Sequence, residues 1–246
     1  MARDFTAGDY LEVTIGTGID LSGSYSLILA LRLDGGFRGI LRLGPGSSRG
    51  VQLESGLGGE PRALGFKHFG NSTQTAGDGV NLTQNQFYAI GCLYDGTQYN
   101  RLVYDGTGVN GNFGDGDPSP LEAGDTLKIG GIGGGGGDFD GGVAWVAFIQ
   151  GTMLTDAQVV NYVKQENGKT ICSLQADFGA NLKFLYSLSG PNRYVDLTGN
   201  FGNLTASGTT DEANPFGLPD ACGSPSLVNI DFARHPNHKL ARRLAV

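Results

Sequence analysis

Apolar and polar residues alternate in short runs along this chain, and clusters of Gly, Asp, Asn and Ser separate the runs. A two-residue period puts successive side chains on opposite faces, so each run predicts a β-strand with one face in a core. Residues 10–15 alternate in this way. Residues 25–33 (YSLILALRL) are apolar almost throughout and predict a strand buried on both faces. Residues 38–43, 50–54 and 62–69 follow after turn signals. Residues 87–94 (FYAIGCLY) and 98–104 (QYNRLVY) flank Asp95-Gly96-Thr97, whose Asp-Gly pair tolerates positive φ and predicts a hairpin. Segments 126–129, 143–149 (VAWVAFI) and 182–188 complete ten strand candidates. Such a series has one economical arrangement: an all-β fold of two packed antiparallel sheets, a jelly-roll sandwich.

One segment departs from this period. Thr155 is a good N-cap and Gln158 stands three residues on, which completes a capping box; Leu154 and Val159 are placed as a hydrophobic staple. Val159, Tyr162 and Val163 form an i, i+3, i+4 stripe, and Gly168 suits the stop. The prediction is one short helix laid against the sandwich.

Composition narrows the picture. Of 246 residues 43 are Gly, about one in six, which excludes a helical bundle; without a Gly-X-Y period it also excludes collagen. The formal charge of −7 disfavours nucleic acid as a partner. No apolar run approaches the length of a membrane-spanning helix, and the opening MARDFTAGDY lacks the apolar core of an export signal. Cys92, Cys172 and Cys222 are odd in number and widely spaced, and predict free thiols in a chain folded under reducing conditions.

The order of these elements resembles a known family. Phe5-Thr6-Ala7-Gly8-Asp9-Tyr10-Leu11-Glu12-Val13 is similar to the opening strand of laminin G-like, concanavalin A-like jelly rolls. Phe87-Tyr88-Ala89-Ile90, Tyr94-Asp95-Gly96 and Val103-Tyr104-Asp105-Gly106 resemble their central hairpin. Leu127-Lys128-Ile129-Gly130, Phe139-Asp140-Gly141-Gly142-Val143-Ala144-Trp145-Val146 and Met153-Leu154-Thr155-Asp156-Ala157-Gln158 resemble their late core. The resemblance implies one such domain over residues 1–218. Its compact start is similar to members found as bacteriophage virion proteins.

Candidate chemistry is sparse. The glycine run 130–137 formally contains G-x-G-x-x-G, but a strand follows it where a phosphate cradle needs a helix N-terminus. Asp115/Asp117 and Asp138/Asp140 are alternate pairs that supply two of the six to eight oxygens calcium requires; turn chemistry explains the same residues, and no metal or cofactor is expected. Glu12, Glu54, Glu60, Glu122, Glu166 and Glu212 are isolated, whereas retaining glycoside hydrolysis needs two carboxyl groups about 5 to 5.5 Å apart. No Ser-His-Asp set accompanies His68, His235 and His238, so no catalytic residue is expected. His68 reads as a half-buried surface residue, Cys92 and Trp145 as core. Tyr94, Tyr99, Tyr104, Phe113 and Tyr194 lie near turns, where they could stack on sugars or support hairpins.

Residues 219–246 read as a C-terminal arm. Val228, Ile230 and Phe232 share one side of an alternating run, and Arg234, Lys239, Arg242 and Arg243 follow, leaving residues 224–246 at a net +3. A lone alternating strand needs a sheet edge, its own sandwich's or a neighbour's, so these seven are the expected partner-binding residues. The expected function is non-enzymatic: a virion protein made in the host cytoplasm, a capsid decoration, cement or fibre-associated component that binds other virion proteins. The alternative is a lectin module for host-surface glycans. A homo-oligomer is also allowed, while membrane is not expected as a partner.

Overall fold

A computed structural model describes residues 2–6, 8–15, 17–35, 39–46, 49–70, 73–77, 79–97, 99–112, 120–132, 139–188 and 194–212. In chain order the first strands are β1 (Ala2–Phe5), β2 (Tyr10–Thr14), β3 (Tyr25–Leu33), β4 (Gly39–Leu43), β5 (Gly50–Ser55), β6 (Leu64–Phe69) and β7 (Thr73–Ala76). Then come β8 (Phe87–Tyr94), β9 (Tyr99–Tyr104), β10 (Thr107–Asn112), β11 (Thr126–Gly130) and β12 (Gly141–Gln150). Helices α1 (Asp156–Lys164) and α2 (Ser173–Phe178) precede β13 (Leu182–Ser187), β14 (Thr205–Ser207) and β15 (Thr210–Glu212).

All pairings are antiparallel, in two sheets. One has eight strands in the order β10-β9-β8-β3-β12-β1-β15, with β13 also on β12; the other has seven, β14-β2-β11-β4-β5-β6-β7. β1 and β13 share one edge of β12 end to end, β1 on Gly141–Val143 and β13 on Trp145–Ile149. The fold is the all-β jelly-roll sandwich that the strand periodicity predicts.

β3 is buried on both faces. Leu27, Leu29, Leu31 and Leu33 point into the space between the sheets, while Ile28 and Ala30 point outward under the helices. A bulge in β12 enlarges that outer layer. The register against β3 shifts between Val143 and Trp145, so Ala144 and Trp145 both turn toward the helices. Trp145 is fully buried there, in the layer between sheet and helix rather than between the sheets.

α1 seals this layer. The Thr155 hydroxyl accepts the Gln158 N–H at 3.3 Å, and the Gln158 side chain accepts the Thr155 N–H at 2.9 Å. The helix stops earlier than Gly168: Gln165 takes the left-handed conformation (φ 59°), and its N–H returns to the Asn161 carbonyl. Val159, Tyr162 and Val163 face down, and Val159 comes so close to β8 that a Cβ on Gly91 would lie 2.8 Å from its Cγ2. Arg101 grips Asp156 at one end of the helix (Nε to Oδ1 2.7 Å), and Lys164 reaches Asp105 at the other, at 2.9 Å. Each pair sets the helix charge favourably toward the macrodipole.

Three expectations are corrected. His68 is not a surface residue: it follows Phe66 by two on the inward face of β6 and is 2% exposed. Its ring meets Tyr94 edge-on at 5.0 Å, and the Tyr25 hydroxyl lies 3.3 Å from its Nδ1. Burial pulls its pKa down to about 4. Tyr94 likewise packs in the core, because the strand carries it inward before the turn begins. Cys172 is disulfide-bonded, so the expectation of free thiols throughout does not hold. Linear spacing hides which cysteines fold close together. Cys92 is the free, fully buried core thiol expected.

Candidate functional site

Neither α1 nor α2 lies on the outer face of the seven-stranded sheet; their contacts are with β3, β8 and β13. The alternation of β2 sends Leu11 and Val13 into the core and leaves Tyr10, Glu12 and Thr14 outside. These three form the floor of a trough of about 470 Å³, with Thr126 of β11 on one side and Asn203 and Thr205 on the other. Among the described residues, none of these six side chains makes a hydrogen bond. One phenol, one carboxylate, one carboxamide and three hydroxyls are therefore free to meet a ligand.

Local chemistry builds each wall. The Asp9 carboxylate accepts the Thr6 N–H and hydroxyl, both at 2.9 Å, and fixes the turn that delivers Tyr10. At the far end Asp125 precedes Thr126. Arg49 binds it in a fork, at 2.8 and 3.0 Å, and the Glu122 N–H adds a third bond at 2.8 Å. Burial pushes the Asp125 pKa up, but these hydrogen bonds outweigh it and hold the group below its ordinary value. The Asn203–Thr205 wall follows a loop folded around the buried Asp196, which accepts N–H bonds from Leu185, Thr198, Asn200 and Phe201 at 3.0 to 3.1 Å.

A register row crosses the whole face, one residue per strand. Thr205 stands beside Glu12, Glu12 beside Lys128, Lys128 beside Arg42, Arg42 beside Gln52, Gln52 beside Lys67, and Lys67 beside Thr75. Lys128 lies over the Tyr10 ring, 4.1 Å from its centre. Glu54 pairs with Lys67 at 2.6 Å and accepts the Gln52 amide at 3.0 Å.

A second groove, about 410 Å³, lies among Thr17, Gly18, Lys183, Asn200 and Phe201. There the Asn200 amide already donates to the Lys183 carbonyl at 3.0 Å.

The sequence pointed elsewhere. Val228, Ile230, Phe232, Arg234, Lys239, Arg242 and Arg243 lie outside the described residues, as do Asp115, Asp117, Asp138, Tyr99's side chain and Phe113. Asp140 is exposed, and its backbone carbonyl receives the Asp34 and Gly35 N–H groups at 3.0 and 3.1 Å. Among the described residues, no three His, Cys, Asp or Glu side chains stand together as metal ligands. Glu12, which sequence reading weighed only as an isolated carboxylate, proves to be the charged group of the trough. Its alternation with Tyr10 and Thr14 was the available signal. The proximity of β14 and β11 was not available, because it joins residues more than a hundred positions apart.

No family model matches the chain, and no curated protein matches its sequence. Among solved structures, the chain is similar to a protein from Bacteroides ovatus described as carbohydrate binding, with TM-score 0.60 and 18% identity; the match covers 90% of this chain and 61% of that one. It is also similar to domains LG4-5 of the mouse laminin α1 chain (TM-score 0.48, 15% identity, 62% of this chain and 42% of that one). Tailspike protein 2 of bacteriophage CBA120 gives TM-score 0.44 at 13% identity, over 70% of this chain and 27% of that one. The chain thus shares its two-sheet jelly-roll fold with the Bacteroides protein, of whose length it spans 61%.

Proposed function

We propose that the chain is a non-enzymatic, lectin-like module that holds a glycan in the trough over β2. The observation that carries this reading is the set of six trough side chains with no hydrogen bond among the described residues, with an aromatic ring at one end. Saccharides present ring hydroxyls to such groups and an apolar ring face to a phenol. The likeness to a protein described as carbohydrate binding supports the same reading. We extend this reading to a phage virion, an expectation that the family resemblance of the sequence supports, with residues 219–246 as the attachment to other virion proteins.

A glycan array probed with the full chain is the test. The expected result is a defined set of retained glycans, weakened at least tenfold by Tyr10→Ala. An array without retained glycans contradicts the reading. Deleting residues 224–246 tests the attachment: the truncated chain should bind the same glycans but no longer copurify with particles, and unchanged particle occupancy contradicts that part alone.

A further inference from the structure

Opposite charges cancel over one half of the register row and not over the other. Lys67 is neutralised by Glu54, which also holds Gln52. Lys128 and Arg42 stand directly side by side on β11 and β4, an arrangement of like charges that costs stability in a sheet. Arg42 makes no hydrogen bond or ion pair among the described residues, and its Nε is shielded from water without an acceptor. Glu12 is Lys128's other neighbour in the row, yet among the described residues they form no ion pair; Lys128 lies on the Tyr10 ring instead. Among the described residues, a chain of net −7 thus keeps two uncompensated cations at the centre of its open face, beside the trough.

We propose that Arg42 and Lys128 recognise an anion, and that the ligand of the trough is an acidic glycan, a saccharide bearing a carboxylate or sulfate group. This rests on the glycan reading above and adds the ligand's charge to it. The guanidinium fork matches the two oxygens of either group, and a bound anion would relieve the repulsion between the two cations. β4 lies two strand spacings from β2, about 10 Å, so a sugar seated over Tyr10 and Glu12 can carry its acid, or that of the next residue, to Arg42. A polyanion such as nucleic acid fits less well. Among the described residues of this row two cations are uncompensated, and Glu12 flanks them.

The experiment uses matched glycan pairs: uronate oligosaccharides and their methyl esters, sialylated and desialylated glycans, sulfated and desulfated chains. The acidic member should bind at least tenfold more tightly, and the preference should shrink as salt rises. Arg42→Gln and Lys128→Gln should each reduce the preference toward unity. Lys67→Gln, which changes a neutralised cation in the same row, should leave it intact. Glycan binding without charge preference, or a preference that survives Arg42→Gln, overturns this proposal and leaves the glycan reading standing. Equal competition by a single-stranded oligonucleotide also overturns it, since the face would then be a general polyanion surface. If no glycan binds at all, both readings fail.

Discussion

The two outer faces of the sandwich are built from the same alternation and end in opposite states. On the eight-stranded sheet the outward positions are Ile28, Ala30, Ala89, Leu93, Ala144 and Trp145, and they pack in one cluster with residues of α1 and α2. On the seven-stranded sheet they are Thr205, Glu12, Lys128, Arg42, Gln52 and Lys67, and neither α1 nor α2 covers them. The first face spends its side chains on packing, so its residues are needed for stability. The second contributes little to packing and keeps polar groups available, as the proposed recognition requires. Stability and binding should therefore separate between the faces when each is mutated.

The largest effect is expected at the covered face. Trp145→Ala should cost about 3 to 5 kcal/mol in urea unfolding, as a large aromatic removed from a packed layer. Trp145→Phe should cost much less, because the Trp145 Nε1 is buried with no acceptor among the described residues. Equal losses in both would mean that the indole N–H is bonded.

His68 predicts a comparable effect of pH within the core between the sheets. Its folded pKa is about 4 against an ordinary value near 6.5, so protonation favours the unfolded chain. The neutral-ring contribution is complete above about pH 6.5 and is lost as pH falls to 4, about 3 kcal/mol in all. His68→Leu should flatten that part of the stability–pH curve relative to the parent. If the two curves stay parallel, the ring is not held neutral.

Smaller losses should follow at the helix seat. Gly91→Ala should cost about 1 to 3 kcal/mol, since the added Cβ meets the branched Val159 at 2.8 Å. Thr155→Ala should cost about 0.5 to 2 kcal/mol through the lost cap. Melting midpoints that do not move in either variant would show that α1 is not clamped to the sheet.

How much was legible follows from what sets each element. β3 and β8 match the segments read from their apolar runs, because burial on both faces leaves an unmistakable pattern. The capping box of α1 was equally plain, being local chemistry. β7 (TQTA), β10 (TGVNGN), β14 (TAS), β15 (TDE) and α2 (SLQADF) were missed. The four strands lie at sheet edges, and pairing with a neighbour defines them more than side-chain burial does. Gly111 illustrates this: it has no apolar signal, yet a Cβ there would lie 2.6 Å from the Thr75 carbonyl, so glycine is what lets β10 close against β7. The inward turn of His68 was in principle readable from its spacing to Phe66. The trough and the Lys128–Arg42 neighbourhood were not, because they depend on the order of strands in the sheet.

The smallest stability effects belong to the open face, where the binding effects should be largest. Glu12→Gln and Tyr10→Ala should each shift stability by no more than about 0.5 to 1 kcal/mol, as expected for substitutions outside a core. The most direct measurement is calorimetric titration of the strongest array glycan into the parent, the Tyr10→Ala/Glu12→Gln double variant and the helix-seat variant Arg101→Ala. The account predicts that the trough variant binds at least tenfold more weakly at nearly unchanged stability, while Arg101→Ala loses stability and keeps full affinity. Full affinity in the trough variant, or a loss of affinity with Arg101→Ala at a temperature where it remains folded, would contradict it.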